Sequence, residues 1–133
     1  MNASVDIEGM HQVALTCKNL DRSAAFYADA LGLQPVARFD PPGLAFFDVH
    51  GVRLSIQQSS EVESVSSVIY FRVADIDAAV EALRENGVHM ERDPALVFRD
   101  EEGQFGAAGE EEWMAFFRDP DGNLLALVSR KQY

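Results

Sequence analysis

Three imidazoles, one thiol and scattered carboxylates are the groups in this chain able to ligate a metal or move a proton. His11 adjoins Gln12, His50 precedes Gly51, His89 lies close to Glu91 and Arg92, and Cys17 stands alone. A catalytic divalent-cation site takes three or four imidazole, carboxylate or thiolate donors converging from different elements. No spacing here supplies such a set. If Gln12 points inward from a strand, alternation turns His11 to the opposite face, where it reads as an ordinary structural histidine. His50-Gly51 reads as a hairpin turn and His89 as the approach to a strand. Glu91 and Arg92 read as a surface salt pair. A lone cysteine excludes an intrachain disulfide and argues against a thiolate zinc site.

The elements that must position these groups come in two copies of strand–helix–strand–strand–strand. In the first, Gln12 to Cys17 alternates as a strand, and Asn19 or Asp21 offers an N-cap. Leu20, Ala24, Tyr27 and Leu31 then fall at helical spacing before Gly32. In the second, Val68 to Val73 is the strand and Asp75 the N-cap. Ile76, Ala79, Val80 and Leu83 form the apolar stripe and Gly87 the stop. Superposition sets Gln12 on Val68, Leu20 on Ile76 and, after a one-residue gap, Gly32 on Gly87. Ala45–Phe47 matches Ala115–Phe117, and the tract 52–56 matches 123–127.

Turn chemistry fixes the registers independently of that superposition. A two-residue turn at His50-Gly51 places Phe46 opposite Ser55. A three-residue loop at Pro120-Asp121-Gly122 places Phe116 opposite Ala126. Residues 93–112 read as irregular, with the acidic, glycine-rich stretch 100–112 a mobile loop near the site. The polar tract 58–66 reads as the link between copies, giving modules of about 8–58 and 66–130.

The 133 residues suit one domain, or two small modules sharing a core, and 47% apolar composition suffices to build it. The net charge of −11 is the reverse of a nucleic-acid-binding footprint. It would attract a cationic ligand. The first ten residues carry neither a basic run nor a long apolar one, so neither a signal peptide nor a membrane span is expected. With one cysteine, this fits a cytoplasmic setting.

The tract 11–33 (HQVALTCKNLDRSAAFYADALGL) resembles the first module of the vicinal oxygen chelate superfamily, which includes glyoxalases, extradiol dioxygenases and bleomycin-resistance proteins. The tract 70–88 (YFRVADIDAAVEALRENGV) resembles its second module, and 113–129 (WMAFFRDPDGNLLALVS) its closing hairpin. The resemblance implies an α+β fold of two tandem βαβββ modules, whose curled mixed sheets surround a cleft often completed in a homodimer. It also implies that metal ligands, where present, occupy the positions of Gln12, Ser55, Val68 and Ala126. Val68 and Ala126 have no donor atom and Ser55 is a poor ligand, so no metal or other cofactor is expected here.

The implied cleft would be lined by Gln12, Ala14, Thr16, Phe46, Ser55, Gln57, Val68, Tyr70, Met114, Phe116 and Ala126, while Trp113 lies at the mouth of the long loop, where it either stacks on a ligand or anchors that loop. Such a lining holds a planar or amphiphilic small molecule by burial and stacking, and offers little for acid–base catalysis. No catalytic residue is assigned. Arg53 and Arg72 share the inward parity and offer anion contacts, although Asp48 is a cross-strand partner for Arg53. The expected function is sequestration of an aromatic or cationic drug or natural product, as in the bleomycin-resistance branch. A glyoxalase, epimerase or dioxygenase with atypical ligands is the alternative.

Overall fold

The computed structural model describes residue 6 and residues 10–60 and 68–132. Most of the N-terminal tract and residues 61–66 of the expected link lie outside the described residues. The first half runs β1 (Gln12–Cys17), α1 (Leu20–Ala25), β2 (Gln34–Phe39), β3 (Leu44–Val49) and β4 (Val52–Gln58). The second runs β5 (Val68–Arg72), α2 (Ile76–Glu85), β6 (Met90–Asp100), β7 (Glu110–Arg118) and β8 (Leu124–Gln132). Each half forms a four-stranded mixed sheet, ordered β1-β4-β3-β2 and β5-β8-β7-β6. In both, the first strand lies parallel to the last and the other pairings are antiparallel. This is the tandem βαβββ arrangement that the duplicated sequence implies.

Local chemistry explains the helix ends. The Asn19 side chain accepts from the Arg22 amide, and Asp75 accepts from that of Ala78, so each caps its helix. Gly32 and Gly87 end them at φ of 71° and 83°, where any other residue would be strained. The two helices differ in one respect. After Ala25, α1 widens into a π-turn over Phe26–Ala30, and the Leu31 amide donates to the Phe26 carbonyl five residues back. This turn holds the extra residue that the internal alignment could place only as a gap.

Strand alternation sends Leu15, Cys17, Phe47, Leu54 and Ile56 of one sheet, and Ala115, Phe117, Leu125 and Leu127 of the other, toward the helices. There they meet Leu20, Tyr27, Ile76, Val80 and Leu83 in one core shared by both halves. Polar contacts reinforce this union. The β7–β8 turn closes through the Gly122 amide on the Asp119 carbonyl, with Gly122 at φ 85°. Its side chains grip the first half. Asp119 accepts from the buried Tyr27 hydroxyl at 2.8 Å. Asp121 accepts from the Lys18 amide at 2.9 Å and the Ser23 hydroxyl at 3.0 Å. Burial, then the Asp119 carboxylate, pushes the Tyr27 phenol far above its usual range, so the hydroxyl stays protonated and donates. Burial also raises the Cys17 thiol, which marks a core residue rather than a nucleophile.

Candidate functional site

The faces turned away from the helices carry the candidate site residues. Register pairs Ala14 with Ser55 and Ser55 with Phe46, and it pairs Tyr70 with Ala126 and Ala126 with Phe116. Both hairpin registers inferred from the turns therefore hold. His50 (φ 47°) and Gly51 (φ 96°) supply the two positive φ values that a tight hairpin turn requires. Gln12, Ala14, Thr16 and Gln57 are exposed, Phe46, Val68, Met114 and Phe116 are half-buried, and Ser55 and Ala126 are buried beneath their neighbours.

On the first sheet Arg53 organises the surface. Its Nε donates to Gln12 Oε1 at 2.6 Å, and its guanidinium lies 5.6 Å from the centre of the Phe46 ring. Phe39 meets Phe46 edge-on. The Arg53 NH2 stands 3.2 Å from His11 Nε2, and because a guanidinium can only donate, that nitrogen is the acceptor. His11 thus does not turn away from Gln12. It precedes β1, so strand alternation does not bind it. Asp48 is the cross-strand neighbour of Arg53, but its carboxylate accepts instead from the Gly51 amide.

On the second sheet, Tyr70 stacks edge-on against Phe116, with ring centres 6.4 Å apart. A cavity of about 760 Å³ opens there, lined by Tyr70, Arg72, Met114, Val128, Glu112 and Arg130, with Phe105 at its edge. Trp113 is not part of this surface. Its strand neighbours Met114 and Ala115 point to opposite sides, and Trp113 shares the helix-covered side with Ala115. Lys131 caps its ring at 4.6 Å and Glu111 accepts from its indole N–H.

The stretch 93–112 is more ordered than its composition implies. β6 continues to Asp100 and β7 begins at Glu110, leaving only residues 101–109 as loop. Pro94 is tolerated because β6 is an edge strand, and its pairing with β7 slips at several points. The loop is wound around Asp100, whose carboxylate accepts from the Gln104 and Phe105 amides and from Arg130 NH2 at 2.7 Å. Arg130 also reaches Glu110 at 3.0 Å, and Gly106 packs against its guanidinium so closely that a Cβ there would meet it at 3.0–3.1 Å. Burial alone would raise the Asp100 carboxyl. The Phe105 amide, Arg130 and the Gln104 amide outweigh it and hold the group at about 2, against an ordinary 3.8. Residue-type reasoning missed this cluster. The available signal was parity, since Arg130 lies four residues beyond Ala126 on the same face.

The positions that resemblance links to a metal do not fit one. Val68 and Ala126 carry no donor, and the single amide oxygen of Gln12 is held by a guanidinium whose charge repels a cation. Among the described residues, no three His, Cys, Asp or Glu side chains converge as a metal site. Glu91 pairs with Arg118 at 2.7 Å, away from these faces. No described helix is long and apolar enough to cross a membrane.

Comparison with known proteins agrees with this architecture. The chain is 27% identical to the uncharacterised protein YraH of Bacillus subtilis (strain 168), over 87% of this chain and 94% of that one. Its fold matches lactoylglutathione lyase from Agrobacterium tumefaciens with a TM-score of 0.71 at 20% identity, covering 93% of this chain and 95% of that one. It matches the fosfomycin resistance protein FosX from Listeria monocytogenes equally well, with a TM-score of 0.71 at 21% identity over 92% and 93% of the two chains. The profile of the Glyoxalase/Bleomycin resistance protein/Dioxygenase superfamily matches residues 9–127, and with both βαβββ modules and their turns in place, the chain belongs to that superfamily.

Proposed function

We propose that this protein binds a small molecule without a metal, sequestering a drug or natural product as bleomycin-resistance proteins do. The observation that carries this reading is the 2.6 Å contact between Arg53 and Gln12. Of the four positions that the resemblance links to a metal, Gln12 has the donor best suited to a cation, and that donor is already committed to the Arg53 guanidinium. Around it, Phe46, Tyr70, Met114 and Phe116 offer aromatic and apolar surface for stacking. Gln12, Gln57 and Val68 complete the ligand surface, Ser55 and Ala126 form its buried floor, and Trp113 acts from behind it as an anchor. A second copy of the chain, covering the open faces, is the proposed partner. More than half of the Tyr70 surface is exposed in the single chain, which favours such a cover. The lone, buried Cys17 is compatible with a cytoplasmic setting.

Elemental analysis of protein purified without chelator or a metal-affinity tag tests the reading. The expected result is far below one metal per chain, before and after soaking with nickel, zinc, manganese and iron(II). A stoichiometric metal would overturn it and point instead to a metalloenzyme of the glyoxalase or dioxygenase type. Sedimentation at micromolar concentration checks the dimer, and a monomer would remove that part of the proposal.

A further inference from the structure

The chain as a whole is strongly acidic, but one of its cavities is not. Between the β3–β4 hairpin of the first half and β5 of the second lies a cavity of about 410 Å³. Val13, Val52, Ile69 and Phe71 contribute apolar wall, and Tyr70 an aromatic one. Among the described residues, Arg53 and Arg72 are the charged side chains lining it, and no described carboxylate does. In a protein with 22 acidic and 11 basic side chains, this is a local inversion of the overall charge.

The two guanidiniums are differently placed. Arg53 is fixed by Gln12, His11 and Phe46, so its orientation is set before any ligand arrives. Arg72 makes no hydrogen bond or ion pair among the described residues, although it lines this cavity and the larger one on the second sheet. A guanidinium without a partner among the described residues, lining the same cavity as a fixed one, can pair with the planar, two-oxygen head of a carboxylate.

From this geometry we infer that the ligand is an anionic amphiphile, with an apolar body between the two halves and an oxyanion head between Arg53 and Arg72. The inference rests on the proposed small-molecule binding and names its ligand class. It replaces the cationic ligand that net charge alone suggested. Net charge governs long-range approach, while the groups at the contact decide which ion is held.

Three probes with one body and different heads test it on the full chain: phenylbutyrate, its primary amide and phenylbutylamine. Each is titrated by amide-resolved NMR. The expected result is that phenylbutyrate shifts the signals of Val52–Leu54 and Ile69–Arg72, while the amide and amine bind about tenfold more weakly or worse. Arg72→Gln is expected to weaken phenylbutyrate by about tenfold, to leave the amide unaffected and, being at an exposed site, to leave the melting temperature unchanged. Amine binding equal to that of the carboxylate, or no effect of Arg72→Gln, overturns the oxyanion assignment while small-molecule binding stands. Failure of all three probes to bind overturns both.

Discussion

Asp119→Ala is expected to remove about 3–5 kcal/mol of stability, a large share of what a domain of this size holds. The carboxylate accepts four hydrogen bonds: from the Tyr27 hydroxyl at 2.8 Å, the Asn123 side chain at 2.6 Å, and the amides of Asp121 and Asn123 at 2.9 Å each. Two of these donors, on Tyr27 and Asn123, are fully buried and would have no water to turn to. Each such orphan costs about 1–3 kcal/mol. Tyr27→Phe keeps the ring and leaves Asp119 one donor short, so about 1–2 kcal/mol is expected. The double variant should lose less than the sum of the singles, by about 1 kcal/mol, because both break the same contact. Urea denaturation followed by the fluorescence of Trp113 measures all three. A loss below about 1 kcal/mol for Asp119→Ala would mean that packing alone joins the halves.

This clamp also shows what could be read in the sequence. The motif Asp119–Asn123 is conspicuous as a turn, and the turn is there. Its second role, holding helix α1 of the other half, depends on partners 92 to 103 residues away and has no local signature. The same division holds at the site. Period-two alternation and turn type placed Phe46 against Ser55 and Phe116 against Ala126. Alternation could not place His11, which lies outside its strand, nor the direction of the Arg53 side chain, which had Asp48 and Gln12 within equal reach. Trp113 was assigned by its nearness to the loop rather than by parity, and parity puts it behind the sheet. The acidic stretch 100–112 read as loop because composition does not distinguish an acid facing water from one that organises a turn. Asp100, fully buried and saturated with donors, is the second kind.

Loop 101–109 is therefore expected to open when Asp100 loses its charge. The folded carboxyl titrates near 2, below its ordinary 3.8, so the stabilisation is complete above about pH 4 and disappears as pH falls through about 2. Asp100→Asn should reproduce the low-pH state at neutral pH, since the amide replaces one acceptor oxygen with a donor facing Arg130 and two backbone amides. Phe105, exposed near the tip of the loop, reports the opening, because chymotrypsin cleaves after aromatic residues. Cleavage at Phe105 is expected to quicken by about tenfold or more in Asp100→Asn, with core unfolding much less affected. Unchanged cleavage would mean that the loop is held by its Phe98–Phe105 contact instead. The outcome also bears on binding, because this loop borders the larger cavity through Phe105 and packs on Arg130 of β8, which lines it too.

The π-turn at Phe26–Ala30 gives the first half a spare residue. In an ordinary helix one inserted residue rotates everything beyond it by about 100°, which would swing Leu31 and Leu33 off their packing. Here the widened turn takes up that rotation, and the Leu33 amide still donates to the Tyr27 carbonyl at 3.0 Å. Removing the exposed Asp29 should let the segment close into a plain α-helix of the same length as its counterpart before Gly87, with Tyr27 standing where Leu83 stands. The shortened chain is expected to fold with an unaltered core, as judged by its amide spectrum, whereas removing a residue from α2, which has no such slack, should not be tolerated. Two copies of one unit can then differ in length at this point without either sheet registering the change.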